Sequence, residues 1–199
     1  GYEDSQIDYK CAAGDASALS TIVTNMTDGT YDMIFSIATP PTQALVNTET
    51  DTPVFFCAVS APTAAGILTD MDKPDKNATG TSNAIPVSKI IDLAQATTPV
   101  KKIGLIYSGN EDNATKLTEI CNEKKIPTYC SSATTVASGC FATLAIDDKG
   151  IGKKTVDIAM DYVNGKEVAD IPAQVVGIDY CSVNKSAMKT LGISQDNIK

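Results

Sequence analysis

Two short apolar runs, each ended by a small residue, a hydroxyl and proline, constrain the fold of this chain more than any other feature. The first run covers residues 31–37 and continues as Ala-Thr-Pro-Pro-Thr-Gln, and the second covers residues 53–59 and continues as Ser-Ala-Pro-Thr. Both are rich in Phe, Ile and Val and too short for a core helix, which is typical of strands covered on both faces. We therefore predict two buried strands, each followed at once by a helix with proline in its first turn.

Strand-like and helix-like patterns alternate along the rest of the chain. A helix capped by Asp15 is indicated where Leu19, Ile22, Val23 and Met26 follow at helical spacing. Alternation of this kind predicts an α/β fold with a mainly parallel sheet. The same criteria predict further strands at residues 7–11, 79–82, 103–107, 141–146 and 175–178, and further helices at residues 41–48, 87–96, 117–125, 149–164 and 185–191.

Two residue types are missing from the sequence, and their absence excludes several kinds of site. The chain has no His and no Arg, which excludes Ser-His and Cys-His nucleophiles, His-ligated zinc and bidentate Arg clamps on anions. Any anion must therefore be held by lysine, hydroxyls or backbone N–H groups. The net charge is −8 and the lysines form no basic stripe, which argues against nucleic acid and anionic membranes as partners. We expect no catalytic residue, no cofactor, no metal and no transmembrane helix.

The six cysteines leave the redox state of the chain open. No two of them have the C-x-x-C spacing, which disfavours zinc and thioredoxin-like sites. Cys57 lies inside an apolar run and is interpreted as a small core residue. Disulfides among the six are possible, and one sequence does not fix their pairing.

The ends of the two apolar runs are the candidate functional positions. In an open parallel sheet, ligands bind beyond the carboxyl ends of the strands, where the following helices point unpaired N–H groups outward. Thr39 and Thr42 follow the first run and Ser60 follows the second. Two interpretations stay open at this point: these hydroxyls only cap helices, or they line a cleft that holds a small anion without arginine.

Seven segments of the chain together carry a resemblance to a known family. They are residues 34–43 (IFSIATPPTQ), 53–66, 77–82 (NATGTS), 101–107 (KKIGLIY), 122–127, 139–147 and 183–193. In these segments, which occur in the expected order and extend almost from end to end, the chain resembles the substrate-binding proteins of ABC transporters, and most closely the group associated with tryptophan and tyrosine uptake.

The resemblance implies a two-lobed periplasmic-binding fold of type I whose parallel sheets are flanked by helices and which closes on a small ligand. Residues 1–84 would form a first lobe that lacks its first strand-helix unit. Residues 85–147 would hold the crossover helix and a shortened second lobe, which jumps around residues 111–113 from its first strand to a late helix. Residues 148–199 would hold the return helix and a C-terminal strand and helix.

The resemblance also implies a role and partners. The protein would be exported and, in a Gram-positive cell, lipid-anchored, and it would bind an amino acid, aromatic or not, and present it to ABC permease subunits. An alternative is a ligand-sensing domain of a regulatory protein with the same fold.

Carried over position by position, the resemblance implies twelve ligand-binding residues. One departure from the family pattern is Ala61, which stands where many relatives have an acidic residue. The implied contacts are Thr39, Thr42, Gln43, Ser60, Thr81, Ser82, Asn83, Asp112, Asn113, Ser131, Ser132 and Asp147.

Overall fold

The computed structural model describes residues 3–102 and 111–198, with side chains described from residue 117 onward in the second range. Short 3-10 turns occur at Asp4–Gln6, Val168–Asp170 and Gln195–Asn197. The helices and strands in chain order are α1 (Ala16–Met26), β1 (Ile34–Ile37), α2 (Thr39–Val46), β2 (Val54–Cys57), β3 (Ala78–Ser82), α3 (Val87–Thr97), α4 (Glu111–Glu123), α5 (Ala133–Ala137), β4 (Ala142–Ala145), α6 (Asp148–Val163), β5 (Gln174–Val175), β6 (Tyr180–Val183) and α7 (Lys185–Leu191).

The α/β class predicted from the sequence is confirmed. The chain forms two compact units, of which unit 1 contains Gly1–Ala84 and Asp148–Val176, and unit 2 contains Ile85–Asp147 and Gly177–Lys199. The strand predicted at residues 103–107 lies outside the described residues. None of the described helices is long and apolar enough to cross a lipid bilayer.

Unit 1 is a parallel sheet between two layers of helix. The strand order is β1-β2-β3-β5 and every pairing is parallel. The neighbouring residues Phe55 and Phe56 of β2 are both completely buried and lie in different clusters. Phe56 packs in the cluster that contains residues of α1 and α2, whereas Phe55 packs against Ile158 and Ala159 of α6. Since successive strand residues point to opposite faces, α1 and α2 cover one face and α6 covers the other.

One glycine allows β2 and β3 to lie close together. A Cβ at Gly80 would lie 2.0 Å from the carbonyl oxygen of Phe56. Real Cβ atoms do not approach a backbone oxygen so closely, and the position in β3 opposite Phe56 therefore requires glycine.

The prediction that the first apolar run is covered on both faces is wrong. In β1, Ile34 and Ser36 are buried, but Phe35 is 45% exposed and Ile37 is 64% exposed. The cause is the position of β1 at one end of the described sheet, because α6 packs on β2 and β3. The Phe35 ring is still 5.7 Å from that of Phe55, which gives it partial cover.

The strand predicted at residues 7–11 is also wrong. These residues pair with no described strand, and Ile7 is 63% and Tyr9 is 77% exposed. A strand gains its stability from pairing and from burial of one face, and this segment has neither.

Unit 2 is built around an antiparallel pair. Strand β4 pairs with β6, and Tyr129 adds a parallel bridge to Ala142 on the other side of β4. The core contains Leu93 of α3, Phe141 and Ala187 of α7. The strand predicted at residues 175–178 is observed only as the two-residue strand β5 of unit 1, and the sequence pattern predicted neither β6 nor α5.

Helix ends follow the expected local chemistry. Asp15 accepts a hydrogen bond from the Ala18 N–H at 2.8 Å and caps α1 as predicted, and Asn184 caps α7 in the same way. Gly165 and Gly192 have positive φ just beyond α6 and α7, where a left-handed residue ends a helix.

Candidate functional site

Three strands of unit 1 end side by side, and their main chains remain paired beyond the strand ends. The Ala38 N–H donates to the Cys57 carbonyl at 2.9 Å, and the Val59 N–H donates to the Thr81 carbonyl at 3.2 Å. The residues that leave β1, β2 and β3 therefore lie next to one another. We call this region the carboxyl edge of unit 1, and it contains Ala38, Thr39, Ala58, Ser60, Ser82 and Asn83.

The backbone is strained at two neighbouring positions of the carboxyl edge. Ala38 has φ 75° and ψ 168°, and Ala58 has φ 58°. Non-glycine residues in these regions cost about 1–3 kcal/mol each, and such residues cluster at ligand sites. The strained residues are the first ones after β1 and β2, and Thr39 and Ser60 follow shortly after them.

Ser60 and Asn83 form the most accessible polar group of the carboxyl edge. Ser60 is exposed, and its hydroxyl donates to the Asn83 side-chain oxygen at 3.2 Å. This bond uses the amide oxygen and orients the amide NH₂, which can donate to a carboxylate. Ser82 is almost fully buried and connects the same loops, because its hydroxyl donates to the Ser60 carbonyl at 3.4 Å and accepts from the Ala84 N–H at 3.3 Å.

The N-terminus of α2 offers a weaker anion site than the sequence suggested. Thr39 is half-buried at the start of the helix and keeps both a hydroxyl and a backbone N–H. Pro40 and Pro41 follow it and have no N–H, and the Ala38 N–H is already bonded to Cys57. The helix dipole remains, but Thr39 supplies the backbone donor of this first turn.

Two of the predicted contacts, Thr42 and Thr81, are completely buried. The Thr42 hydroxyl donates to the Ala38 carbonyl at 2.8 Å and lies 2.8 Å from the Ser36 hydroxyl, so that it supports the strained turn. The Thr81 hydroxyl lies 2.7 Å from that of Thr155 in α6. Both hydroxyls are engaged inside unit 1, and this geometry favours a supporting role, while ligand contact stays a prediction.

The helix predicted after Ser60 is not formed. Residues 61–66 make consecutive turns, in which the Ala65 N–H donates to Ala61 and the Ile67 N–H donates to Pro62. Gly66 has φ 69°, which ends the turn and lets the buried Ile67 enter the core. The expectation of two helix N-termini at this edge is therefore wrong. Gln43 of α2 holds these turns, since its amide nitrogen donates to the Ala65 carbonyl at 2.7 Å.

Two of the predicted contacts in unit 2 also follow neighbouring strand segments, as Thr39 and Ser60 do in unit 1. Tyr129 and Ala142 are bridged in parallel, so that Ser131 and Asp147 follow their strand segments in the same direction. Both residues are exposed, and the Asp147 N–H donates to the Asp179 carboxylate at 2.7 Å. Ser132 caps α5 by accepting from the Thr134 N–H at 3.2 Å.

The remaining two predicted contacts, Asp112 and Asn113, fall in the first turn of α4, and their side chains lie outside the described ones. Among the side chains that the structure describes, those of residues 3–102 and 117–198, no three His, Cys, Asp or Glu come together in a way that could hold a metal ion.

Comparisons with known proteins bear on the family and the fold of this chain. The sequence profile of the family described as ABC transporter substrate binding protein matches residues 1–122 and 115–198. A tyrosine-binding protein of Clostridioides difficile is 28% identical over 261 residues, which cover 100% of this chain and 76% of that protein. The alignment is longer than this chain of 199 residues, so that parts of the relative have no counterpart here.

Two solved structures are similar in fold. A Streptococcus pneumoniae ABC domain in complex with L-Trp superposes with a TM-score of 0.86 at 25% identity, over 98% of this chain and 85% of that chain. The ligand-free, open structure of a substrate-binding protein with adhesive properties from Clostridium difficile superposes with a TM-score of 0.75 at 25% identity, over 97% of this chain and 85% of that chain. The family profile covers nearly the whole chain, and this chain therefore belongs to the ABC transporter substrate binding protein family.

Proposed function

We propose that this protein is the extracytoplasmic solute-binding component of an ABC importer and that its ligand is an amino acid, with tyrosine and tryptophan as the first candidates. Family membership supports a binding role, and two relatives are described as binding tyrosine and as a complex with L-Trp. Permease subunits would be its membrane partners and a lipid would anchor it. Binding without chemistry suits the residues, since the sequence lacks His, the side chain that serves most often as a general base.

The observation that carries this proposal is the juxtaposition of Thr39, Ser60 and Asn83 at the carboxyl edge of unit 1. The Ser60 hydroxyl fixes the Asn83 amide at 3.2 Å, and Thr39 adds a hydroxyl and a backbone N–H at the positive end of α2. Together they provide neutral hydrogen-bond donors to one region, which is how a carboxylate can be held in a chain without arginine. We therefore assign the ligand's carboxylate to these three residues.

A thermal-shift titration with L-Tyr, L-Trp and L-Phe tests the proposal. A ligand at about 100 times its Kd stabilises the folded state by about 2.7 kcal/mol, which raises the unfolding midpoint by about 5–10 °C in a chain of this size. The amines tyramine and tryptamine, which lack the carboxylate, should give no shift at the same concentrations. A midpoint unchanged by every amino acid tested would exclude the proposed ligand class.

Variants then test the assigned residues. Asn83→Ala removes a donor to a charged group, and we expect the Kd measured by calorimetry to rise roughly 10–100-fold. Ser60→Ala leaves the amide in place without its orienting partner and should weaken binding less. Thr21→Val is the matched control, because its exposed hydroxyl bonds only to its own helix at the Ser17 carbonyl. Equal affinities for Asn83→Ala and Thr21→Val would place the carboxylate elsewhere.

A further inference from the structure

Cys130 and Cys140 are neighbours in unit 2, although the sequence gives no reason to pair them. They lie on either side of α5, just before Ser132 and just after Gly139. The Cys130 thiol lies 4.0 Å from the Ala142 carbonyl and the Cys140 thiol lies 3.2 Å from the Thr128 carbonyl, on two segments that are hydrogen-bonded to each other, and each thiol is the largest influence on the pKa of the other. Neither residue has a part in the proposed ligand site.

The surrounding main chain fixes both residues. The Cys130 N–H donates to the Ala142 carbonyl at 3.3 Å, and the Cys140 N–H donates to the Thr135 carbonyl at 3.1 Å. The Cys140 thiol lies 3.2 Å from the Thr128 carbonyl, on the segment that leads into Cys130. Cys130 is therefore held on the segment that pairs with β4, and Cys140 is held on the segment that leads into β4.

Burial and charge make the two thiols unequal. Cys140 is 1% exposed and Cys130 is half-buried, so that the Cys130 thiol is the one that a reagent in solution can reach. The hydrogen bond from Cys130 stabilises a thiolate on Cys140 and lowers the pKa of Cys140 to about 7. The same bond, together with burial, raises the pKa of Cys130. One thiolate of the pair is thus present near neutral pH, and the thiolate is the reactive form.

We propose that Cys130 and Cys140 form a disulfide when the protein meets a small-molecule disulfide oxidant. Cys130 is the accessible member of the pair, so the proton that the two thiols share moves to Cys140, and the Cys130 thiolate attacks a sulfur of the oxidant, forms a mixed disulfide and releases one reduced thiol of the oxidant. The other cysteine loses its proton and attacks the mixed disulfide, which forms the Cys130–Cys140 bond and releases the second reduced thiol. The two cysteines are oxidised by two electrons and the oxidant is reduced by two.

The bond closes a loop that contains α5. Within this loop Val136 is 3% exposed, and its carbonyl accepts from the Asn184 side chain at 2.8 Å. Restricting the unfolded chain here stabilises the α5 turn and its contacts with β4 and β6. Disulfides persist in oxidising compartments, which suits a protein that acts outside the cytoplasm. The inference does not depend on the identity of the ligand.

Peptide mapping of the oxidised protein tests the proposal. Intact protein is treated with oxidised glutathione, then unfolded, alkylated and digested with trypsin. Trypsin cuts after Lys125 and Lys149 and at no residue between them, so that one peptide, 126–149, contains both cysteines. We expect this peptide to be lighter than its reduced form by two hydrogen atoms and to carry no alkyl group. Alkylation of both cysteines after oxidation, or a crosslink from either one to a different cysteine, would overturn the proposal.

Thermal unfolding gives a second readout. Oxidation should raise the unfolding midpoint of the wild type by about 5–10 °C, and reduction should reverse the shift. Cys130→Ser and Cys140→Ser should show no such shift, while the exposed-site control Cys11→Ser should behave as wild type. If the serine variants fail to fold, the wild-type peptide mass alone decides the question. A wild-type midpoint that does not change on oxidation would contradict the stabilising role.

Discussion

Unit 1 and unit 2 position their candidate contacts by different means. In unit 1, main-chain hydrogen bonds continue past the ends of three adjacent parallel strands, from Ala38 to Cys57 and from Val59 to Thr81. In the described part of unit 2, the corresponding positions depend on a bridge between Tyr129 and Ala142 and on the cap of a five-residue helix. The polar groups of unit 1 are therefore fixed by a wider framework than those of unit 2.

The described core of unit 1 is also more extensive than that of unit 2. Unit 1 packs helices on both faces of its sheet, with Phe56 toward α1 and α2 and Phe55 toward α6. In the part of unit 2 that the structure describes, one principal cluster packs around Phe141, whose ring meets that of Tyr129 edge-on at 5.6 Å. We infer that unit 1 carries the larger share of the stability and that unit 2 gains more from an added crosslink.

The largest expected effect comes from truncating the buried aromatic residue of each unit. Phe55→Ala and Phe141→Ala each remove a side chain that is completely buried, and each should lower the free energy of unfolding by about 3–5 kcal/mol. Urea unfolding followed by circular dichroism and by hydrogen exchange should assign the loss to unit 1 and unit 2 respectively. Phe35→Ala is the control, because that ring is 45% exposed and should matter much less.

Equal destabilisation of both units by either core variant would contradict the inference that the two units differ in stability. It would show that the two units unfold together as one cooperative block. Loss confined to the unit that carries the substitution would support separate stabilities, as would two resolved transitions.

A smaller effect should come from the buried hydroxyl pair that joins β3 to α6. The Thr81 and Thr155 hydroxyls lie 2.7 Å apart, and Thr155 also donates to the Ile151 carbonyl at 3.0 Å. Thr81→Val should cost about 1 kcal/mol, because the buried Thr155 hydroxyl loses its bond to Thr81 and keeps only the bond to the Ile151 carbonyl. The double variant Thr81→Val/Thr155→Val should cost less than the sum of the two single variants, since both partners are then apolar.

The matched substitution in unit 2 is Thr143→Val. The Thr143 hydroxyl is also buried, but it donates to main-chain carbonyls, at 3.0 Å in the case of Leu144. Its partners are main-chain carbonyls and not a second hydroxyl. No second side-chain substitution can therefore reduce the free-energy cost of Thr143→Val. Strictly additive free energies for Thr81 and Thr155 would contradict the proposed coupling in unit 1.

Regular elements of this molecule could be predicted where a local pattern and the tertiary environment agree. Helix α1 followed from Asp15 and a single apolar stripe, and β2 followed from an apolar run that is buried on both faces as expected. The prediction failed at Phe35, because the pattern shows that a residue is apolar but not whether another element covers it. It failed again at residues 7–11, where strand-like residues pair with none of the strands that the structure describes.

The candidate site could be located but not resolved in detail from the sequence. The order of small residue, hydroxyl and proline placed Thr39 and Ser60 at strand ends, and the parallel pairing of β1 with β2 makes them neighbours. The sequence did not show that Thr42 faces the interior, that prolines remove the N–H donors beside Thr39, or that Ser60 holds Asn83. The Cys130–Cys140 contact was missed as well, since their spacing matches no known motif and depends on the path around α5.

The smallest expected effect lies on the surface of unit 1, where Asp75 holds the turn at Thr69. The carboxylate accepts from the Thr69 hydroxyl at 2.7 Å and from the Thr69 N–H at 3.1 Å, and these bonds lower the pKa of Asp75. A carboxyl group whose folded pKa is lowered stabilises the fold above its unfolded pKa, and this contribution is lost as the pH falls through the folded pKa. Asp75→Asn should therefore lower the unfolding midpoint slightly at neutral pH and have no effect once the pH is below both pKa values. Unfolding scans of wild type and variant across the acidic range measure the difference, with Asp72→Asn as a neighbouring surface control. A difference that grows as the pH falls would show that Asp75 destabilises this turn, and the surface of unit 1 would then contribute nothing to its advantage over unit 2.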